Sequence, residues 1–201
     1  MNKIVKDALI LFAITLIAGF LLGLVHEVTA EPIRTAQEQA KEETYNKVFP
    51  EAASFVSDLE LEKAVSECGF EIEAQNFGSN VHVNSAEYAL DSAGNRIGYL
   101  ILSQAKGYGG PVEICIGISN DKKVTGIGFI SISETPGLGM KAKDPEFTGQ
   151  FPGKNADLLT LSKNSSGPDE VLCISGASRT SNAVTAACNA AFYFVNHIIS
   201  E

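Results

Sequence analysis

The sequence predicts an α+β fold: a single N-terminal transmembrane helix, then a mostly antiparallel sheet with flanking helices. Three stretches carry that expectation. Ala8 to Val25 run without a charge, which is long enough to cross a bilayer as a helix. The middle third alternates short β-patterned runs with polar or glycine-bearing turns, as antiparallel strands joined by tight connections do. Near the end, apolar residues recur at Val184, Ala187, Cys188, Ala191, Phe192, Val195, Ile198 and Ile199, the spacing of one helical face.

In chain order, the anchor comes first. The 201 residues suffice for one domain with a core, plus a tail. Lys3 and Lys6 precede the apolar run, while Glu27 and Glu31 follow it. The positive-inside rule then puts residues 1–7 in the cytoplasm, 8–26 across the cell membrane and the remainder outside. The run exceeds the apolar stretch of a signal peptide, which favours a retained anchor over cleavage after Val28-Thr29-Ala30. Gly19 and Gly23 sit four apart, a spacing that lets helices approach closely in lipid. Residues 27–66 read as a helical linker. In it, Ile33 to Val48 form a mixed-charge helix ending near Phe49-Pro50. The acidic stretch Glu51 to Ser66 reads as a second short helix with a solvated face.

Residues 67–201 form the extracytoplasmic domain. Tyr88 to Leu90, a turn at Asp91 to Asn95, and Arg96 to Gln104 read as strand, turn and longer strand. Val112, Ile114, Ile116 and Ile118 alternate with Glu113, Cys115, Gly117 and Ser119, the period of a half-buried strand. A polar turn at Asn120 to Lys123 leads to another strand, Val124 to Ser133, with Ile127, Phe129 and, for part of it, Ile132 in register.

Composition removes several function classes. The net charge is −9 and Lys and Arg form no stripe, so nucleic acid is not expected as a partner. Four cysteines, at 68, 115, 173 and 188, form no CxxC pair and no Cys/His cluster, so metal-ligand spacing is absent. Cys115 and Cys188 read as buried thiols; a disulfide at Cys68 stays open. His26, His82 and His197 are scattered and suggest no triad. No second glycine follows Ser178 to make a nucleophile elbow.

Three segments remain. Ser175-Gly176-Ala177-Ser178-Arg179-Thr180-Ser181 gathers small hydroxyl residues at a helix start. The plain reading is capping by Ser178, Thr180 and Ser181. Such a start also presents outward donors and a positive dipole end, which favour phosphate, and Gly176 and Ala177 leave room for a bulky group. Gly107-Tyr108-Gly109-Gly110-Pro111 reads as a turn between strands with an aromatic plug. Glu134-Thr135-Pro136-Gly137-Leu138-Gly139-Met140-Lys141 reads as a strand-to-loop transition.

Together these segments resemble the FMN-binding domain found in the G subunit of Rnf (Rsx) electron-transport complexes and in the C subunit of the sodium-pumping NADH:quinone reductase. The resemblance implies FMN joined covalently, through its phosphate, to the hydroxyl that follows Gly-Ala. That residue is Ser178, with Thr180 as the fallback acceptor, and a separate flavin transferase makes the bond. Two departures stand out: the family usually has Thr at this position, and Asp six residues earlier, where this chain has Leu172. The Gly-Tyr-x-Gly and Glu-Thr-Pro-Gly-Leu-Gly-x-Lys segments match the family. They imply cofactor contacts from Tyr108, Glu134, Thr135, Gly137, Leu138, Gly139 and Lys141, alongside Ser175, Gly176 and Ala177. Leu138 or Met140 can support the flat ring, Glu134 and Thr135 can bond its polar edges or the ribityl hydroxyls, and Lys141 can offset the phosphodiester charge. Phe147 to Phe151 resemble the family's Phe-rich stretch and read as core.

The implied function is electron transfer within a membrane-bound complex that moves electrons between ferredoxin and NAD, coupled to sodium or proton transport. Partners would be the other Rnf subunits, of the A, B, C, D and E types, and the membrane; no independent catalytic activity is expected of this chain. Two other readings stay open: a flavin-free anchored scaffold, and a free-standing extracytoplasmic FMN carrier serving another reductase.

Overall fold

The computed structural model describes residues 3–164 and 167–199, and the chain divides into two compact units, Met1–Glu42 and Glu43–Glu201. The first is most of one helix, α1, which runs unbroken from Lys3 to Val48 with Pro32 inside it. This differs from the sequence expectation, which starts a new helix after Pro32. A proline removes a single N–H donor and does not compel an end where Ala36, Gln37, Glu38 and Ala40 favour helix. The helix includes a stretch long and apolar enough to cross a membrane.

The second unit holds the fold. Strands β1 (Ser54–Val56), β2 (His82–Leu90), β3 (Arg96–Lys106), β4 (Pro111–Ser119) and β5 (Val124–Ile132) form one sheet in sequence order. Every neighbouring pair in it is antiparallel. Between β1 and β2 lie α2 (Leu59–Glu67) and α3 (Gly69–Ala74). The Asp58 carboxylate caps α2 by accepting from the Leu61 N–H at 2.8 Å. After β5 come a 3-10 turn at Gly139–Lys143, the short helix α4 (Pro145–Thr148), and a parallel pair, β6 (Thr160–Ser162) with β7 (Glu170–Leu172). Helix α5 (Ser178–Tyr193) closes the fold and runs into a π-helical turn at Phe194–Ile198.

The sheet is covered on both faces, which corrects the half-buried reading of β4. Ile114, Ile116 and Ile118 join the larger core with α5. On the opposite face, Leu100, Leu102 and Cys115 pack with Tyr45 and Val48. Glycines make that second layer possible. A Cβ on Gly126 would come within 2.9 Å of the Val48 carbonyl oxygen, and one on Gly98 within 2.8 Å of the Phe49 ring. The segment 43–49 thus lies in a glycine-floored trough. The expected 27–66 linker is therefore divided. Its second half belongs to the domain because Tyr45, Val48, Phe49 and Leu61 are buried there, and residues 54–56 form β1 rather than part of a helix.

A register shift in β5 between the partners of Glu113 and Ile114 skips Ile130. This bulge returns Ile132 to the core that Ile127 and Phe129 join, while Ile130 packs on the other layer. Helix α5 is buried from Ala183 to Phe192, not along one stripe, because it packs on the sheet while its flank meets the 156–161 segment. There Asn189 accepts from the Leu159 N–H and donates to the Leu159 carbonyl, both at 2.9 Å. The Ser103 hydroxyl donates to the Ala187 carbonyl at 2.8 Å, fixing α5 to β3. None of the four cysteines forms a disulfide, and Cys68 is buried as a thiol.

Candidate functional site

The first turn of α5 organises the site. Its N-cap is Ala177, which has no side-chain oxygen, and no side chain caps the helix. Ser178 is the first helical residue, so Ser178, Thr180 and Ser181 stand inside the helix instead of before it, where a cap must sit. This corrects the capping expectation. The Ser181 hydroxyl turns back to accept from the Ile174 N–H at 3.0 Å and donates to the Ala177 carbonyl at 3.1 Å. Gly176 takes φ +77 in the turn between them, a conformation costly for any residue with a Cβ.

Burial separates the two hydroxyls of interest. Ser178 is exposed, whereas Thr180 is only 1% exposed. Thr180 lies under Gly139: a Cβ there would come within 2.7 Å of Thr180 Oγ1 and 2.8 Å of Glu134 Oε2. Leu138 reaches across to the same turn, its Cδ2 3.2 Å from where a Cβ on Gly176 would stand. The loop 133–141 is thus seated on the start of α5 through two glycines, and Leu138 is 45% exposed there.

Glu134 joins the third segment to the other two. Its buried carboxylate accepts from the Tyr108 N–H at 2.7 Å (Oε1) and from the Gly109 N–H at 3.2 Å (Oε2). The family resemblance implies that Glu134 bonds the ring's polar edges or the ribityl hydroxyls; in the structure both oxygens engage the backbone of the tyrosine loop. Thr135 is exposed, and its carbonyl accepts from the Leu138 and Met140 N–H groups, each at 3.2 Å. Gly137 takes φ +76 with open space around it.

Two clefts flank the helix start. The larger, about 420 Å³, is lined by Lys141, Asp144, Phe147, Leu172, Ile174 and Ser175, among others. Leu172 is held at its rim by Gln150, whose Oε1 accepts from the Leu172 N–H at 2.7 Å and whose Nε2 donates to its carbonyl at 3.3 Å. The smaller, about 310 Å³, is walled by Lys106, Tyr108, Arg179 and Asn182. Tyr108, 68% exposed, therefore stands beside the turn that carries Ser178. Phe147 and Phe151 are buried and meet edge-on at 5.6 Å, and Phe147 also faces the larger cleft. Sequence reasoning missed Arg179, Lys106 and Asn182 as cleft residues. Arg179 adjoins Ser178 and Asn182 directly follows Ser181, so position alone was a usable signal for both; Lys106 carried none.

These residues fit a phosphate-bearing flavin. The helix start offers backbone donors without a side-chain cap, beside an exposed hydroxyl. Gly137 has open space around it where a bulky group could approach, and Lys141 and Arg179 each line one of the two clefts.

Comparison with known proteins agrees with that chemistry. The family model "FMN-binding domain" matches residues 107–193, and "RnfG N-terminal region" matches residues 1–48. The G subunit of the Na(+)-translocating ferredoxin:NAD(+) oxidoreductase complex of Acetobacterium woodii is 36% identical over 190 residues, covering 92% of this chain and 87% of that protein. The G subunit of the proton-translocating ferredoxin:NAD(+) oxidoreductase complex of Clostridium ljungdahlii is 29% identical over 187 residues, covering 90% and 89%. The G subunit of the ion-translocating oxidoreductase complex of Methanosarcina acetivorans is 30% identical over 196 residues, covering 97% and 96%.

Proposed function

The chain belongs to the G-subunit family of ion-translocating (Rnf-type) oxidoreductase complexes, and from that premise we propose that it is the membrane-anchored electron-transfer subunit of such a complex, with FMN esterified to Ser178. The reading is supported by the FMN-binding domain match over 107–193 and by relatives named as subunits of ferredoxin:NAD(+) oxidoreductase complexes. The observation that carries the attachment site is the contrast between the two hydroxyls: Ser178 is exposed beside an uncapped helix start, while Thr180 is buried under Gly139.

Bound FMN would supply one-electron transfer, with position and potential set by the protein. The chain's residues do the holding. In maturation by a flavin transferase, the Ser178 Oγ–H bond is replaced by an Oγ–P bond, and the proton and the phosphate's former substituent leave. The first-turn N–H groups of α5 and the helix dipole would hold the phosphate, Arg179 and Lys141 would offset its negative charge, and the partly exposed Leu138 would offer an apolar surface to the ring. The apolar stretch of α1 spans the membrane with residues 1–7 cytoplasmic and the domain outside, where it meets the other Rnf subunits.

The test is intact mass. The full chain, co-expressed with a flavin transferase, should gain one FMN less one water; Ser178→Ala should abolish the gain and Thr180→Ala should retain it. A gain that persists in Ser178→Ala moves the attachment site, and no gain in the native chain removes the covalent reading. Purification from native membranes should bring down ferredoxin- and NAD-binding subunits; their absence counts against the complex.

A further inference from the structure

The geometry points to Glu134 as a positioning residue: its carboxylate clamps the Tyr108 loop against the first turn of α5 and so sets where the Tyr108 ring stands beside Ser178. This deepens the flavin reading and rests on it for the role of the ring, but the clamp is a property of the chain alone.

Glu134 is 8% exposed, and burying a carboxylate is costly unless strong donors meet it. The donors found are the backbone N–H groups of Tyr108 and Gly109, one to each oxygen. Gly107 closes over Oε1, where any Cβ would overlap it, and Gly139 closes over Oε2, where a Cβ would come within 2.8 Å. The carboxylate is thus packed between two backbone segments from different parts of the chain, with no room for a cofactor atom at Oε1 from the Gly107 side.

A third contact fixes the assembly in place. Gly139 also abuts Thr180, so the clamp is referenced to the third residue of α5, two beyond Ser178. The outcome is seen at Tyr108. It is the one aromatic of the three segments, it is 68% exposed, and it shares a cleft with Arg179, the neighbour of Ser178. Glutamate suits this task better than glutamine. Two N–H donors converge on two acceptor oxygens, and an amide in the same place would set its own NH2 against one of them.

The experiment uses the full chain in detergent, with and without a co-expressed flavin transferase. In the flavin-free chain, Glu134→Gln should make the Tyr108 and Gly109 amides exchange hydrogen at least tenfold faster, while amides of β3 and β4 stay as protected as before. Should that variant fail to fold, Glu134→Asp, one methylene too short to reach both donors, is read the same way. Unchanged exchange at Tyr108 and Gly109 overturns the clamp.

In the flavin-loaded chain, a nearby tyrosine quenches flavin emission. Tyr108→Ala and Glu134→Gln should each raise it, roughly twofold or more, and the double variant should match Tyr108→Ala. A Glu134→Gln effect that persists in the Tyr108→Ala background shows that Glu134 acts on the ring directly, which overturns positioning through Tyr108. A chain that never gains FMN overturns the proposed function instead, and the exchange measurement alone then decides the clamp.

Discussion

Ser181 closes the turn before α5 on Ile174: its hydroxyl accepts the Ile174 N–H at 3.0 Å from seven residues away. The same hydroxyl donates to the Ala177 carbonyl, so one small side chain shapes the whole Ser175-Gly176-Ala177 approach to Ser178. Ser181→Ala leaves a partly buried N–H without its partner, and the expected loss is about 1–2 kcal/mol of stability. Thermal unfolding of the full chain in detergent reads that loss. Flavin uptake should fall with it, because the acceptor turn loses its fixed shape.

Gly139 offers a sharper test of the site than any of its polar residues. A methyl group there meets Thr180 Oγ1 and Glu134 within 2.8 Å, so Gly139→Ala must push the 133–141 loop off the helix start. Flavin incorporation, measured by intact mass, should drop at least tenfold, while the unfolding temperature falls by about 2–12 °C, as for other overpacked sites that cost about 1–3 kcal/mol.

Gly98 and Gly69 make a contrasting pair. A Cβ on Gly98 would overlap the Ile118 carbonyl oxygen and approach the Phe49 ring, whereas nothing lies within 4 Å of one on Gly69. Gly98→Ala should therefore destabilise the full chain by about 3 kcal/mol. Gly69→Ala, in the first turn of α3, should be neutral or stabilise it by up to about 1 kcal/mol. Urea unfolding separates the two.

Asp91 gives the β2–β3 turn its pH dependence. Hydrogen bonds from Asn95, side chain first and then backbone, hold its carboxyl below the usual carboxylate range. A depressed folded value means that the stabilisation is present above the unfolded value and is lost as pH falls through the folded one. Unfolding temperature should thus drop below about pH 4, and Asp91→Asn should flatten that part of the profile.

The thiols should divide by burial. Cys68, Cys115 and Cys188 are buried and Cys173 is partly exposed. Burial also raises the Cys68 thiol to about 11 and Cys188 further still, which leaves little thiolate at neutral pH. Iodoacetamide should label Cys173 alone in the native chain and all four cysteines in denaturant, as counted by intact mass.

The strands around β3 and β4 were legible because alternation of apolar and polar residues survives in a single sequence. What lay on their far side was not. Cys115 read as a buried thiol, as it is, but Gly117 read as the solvent face of β4, since nothing in a glycine reveals that Val48 and Phe49 press against it. The first residues of β2 were hidden for a different reason: Asn84 is the extra residue of a bulge between Val83 and Ser85, which breaks the period that strand recognition depends on. β6 and β7, at three residues each, are too short to show any period.

The site was legible as three segments but not as an arrangement. The family pattern named Tyr108, Glu134 and Ser178 without saying that the first two are bonded across 26 residues. Nor can a motif disclose that Ser178 faces solvent while Thr180, two residues on, is sealed beneath Gly139. That distinction comes from helical geometry once the loop has been packed down.

The trough floored by Gly98, Gly117, Gly126 and Gly128 decides where this protein can be cut. A soluble fragment that starts within residues 27–42 keeps Tyr45, Val48 and Phe49 and carries both layers of its sheet. One that starts at the first strand loses the inner lining of that trough and bares Leu100, Leu102 and Cys115 to water, inviting aggregation instead of crystals. The stalk that leaves the bilayer thus ends as a structural part of the domain it delivers.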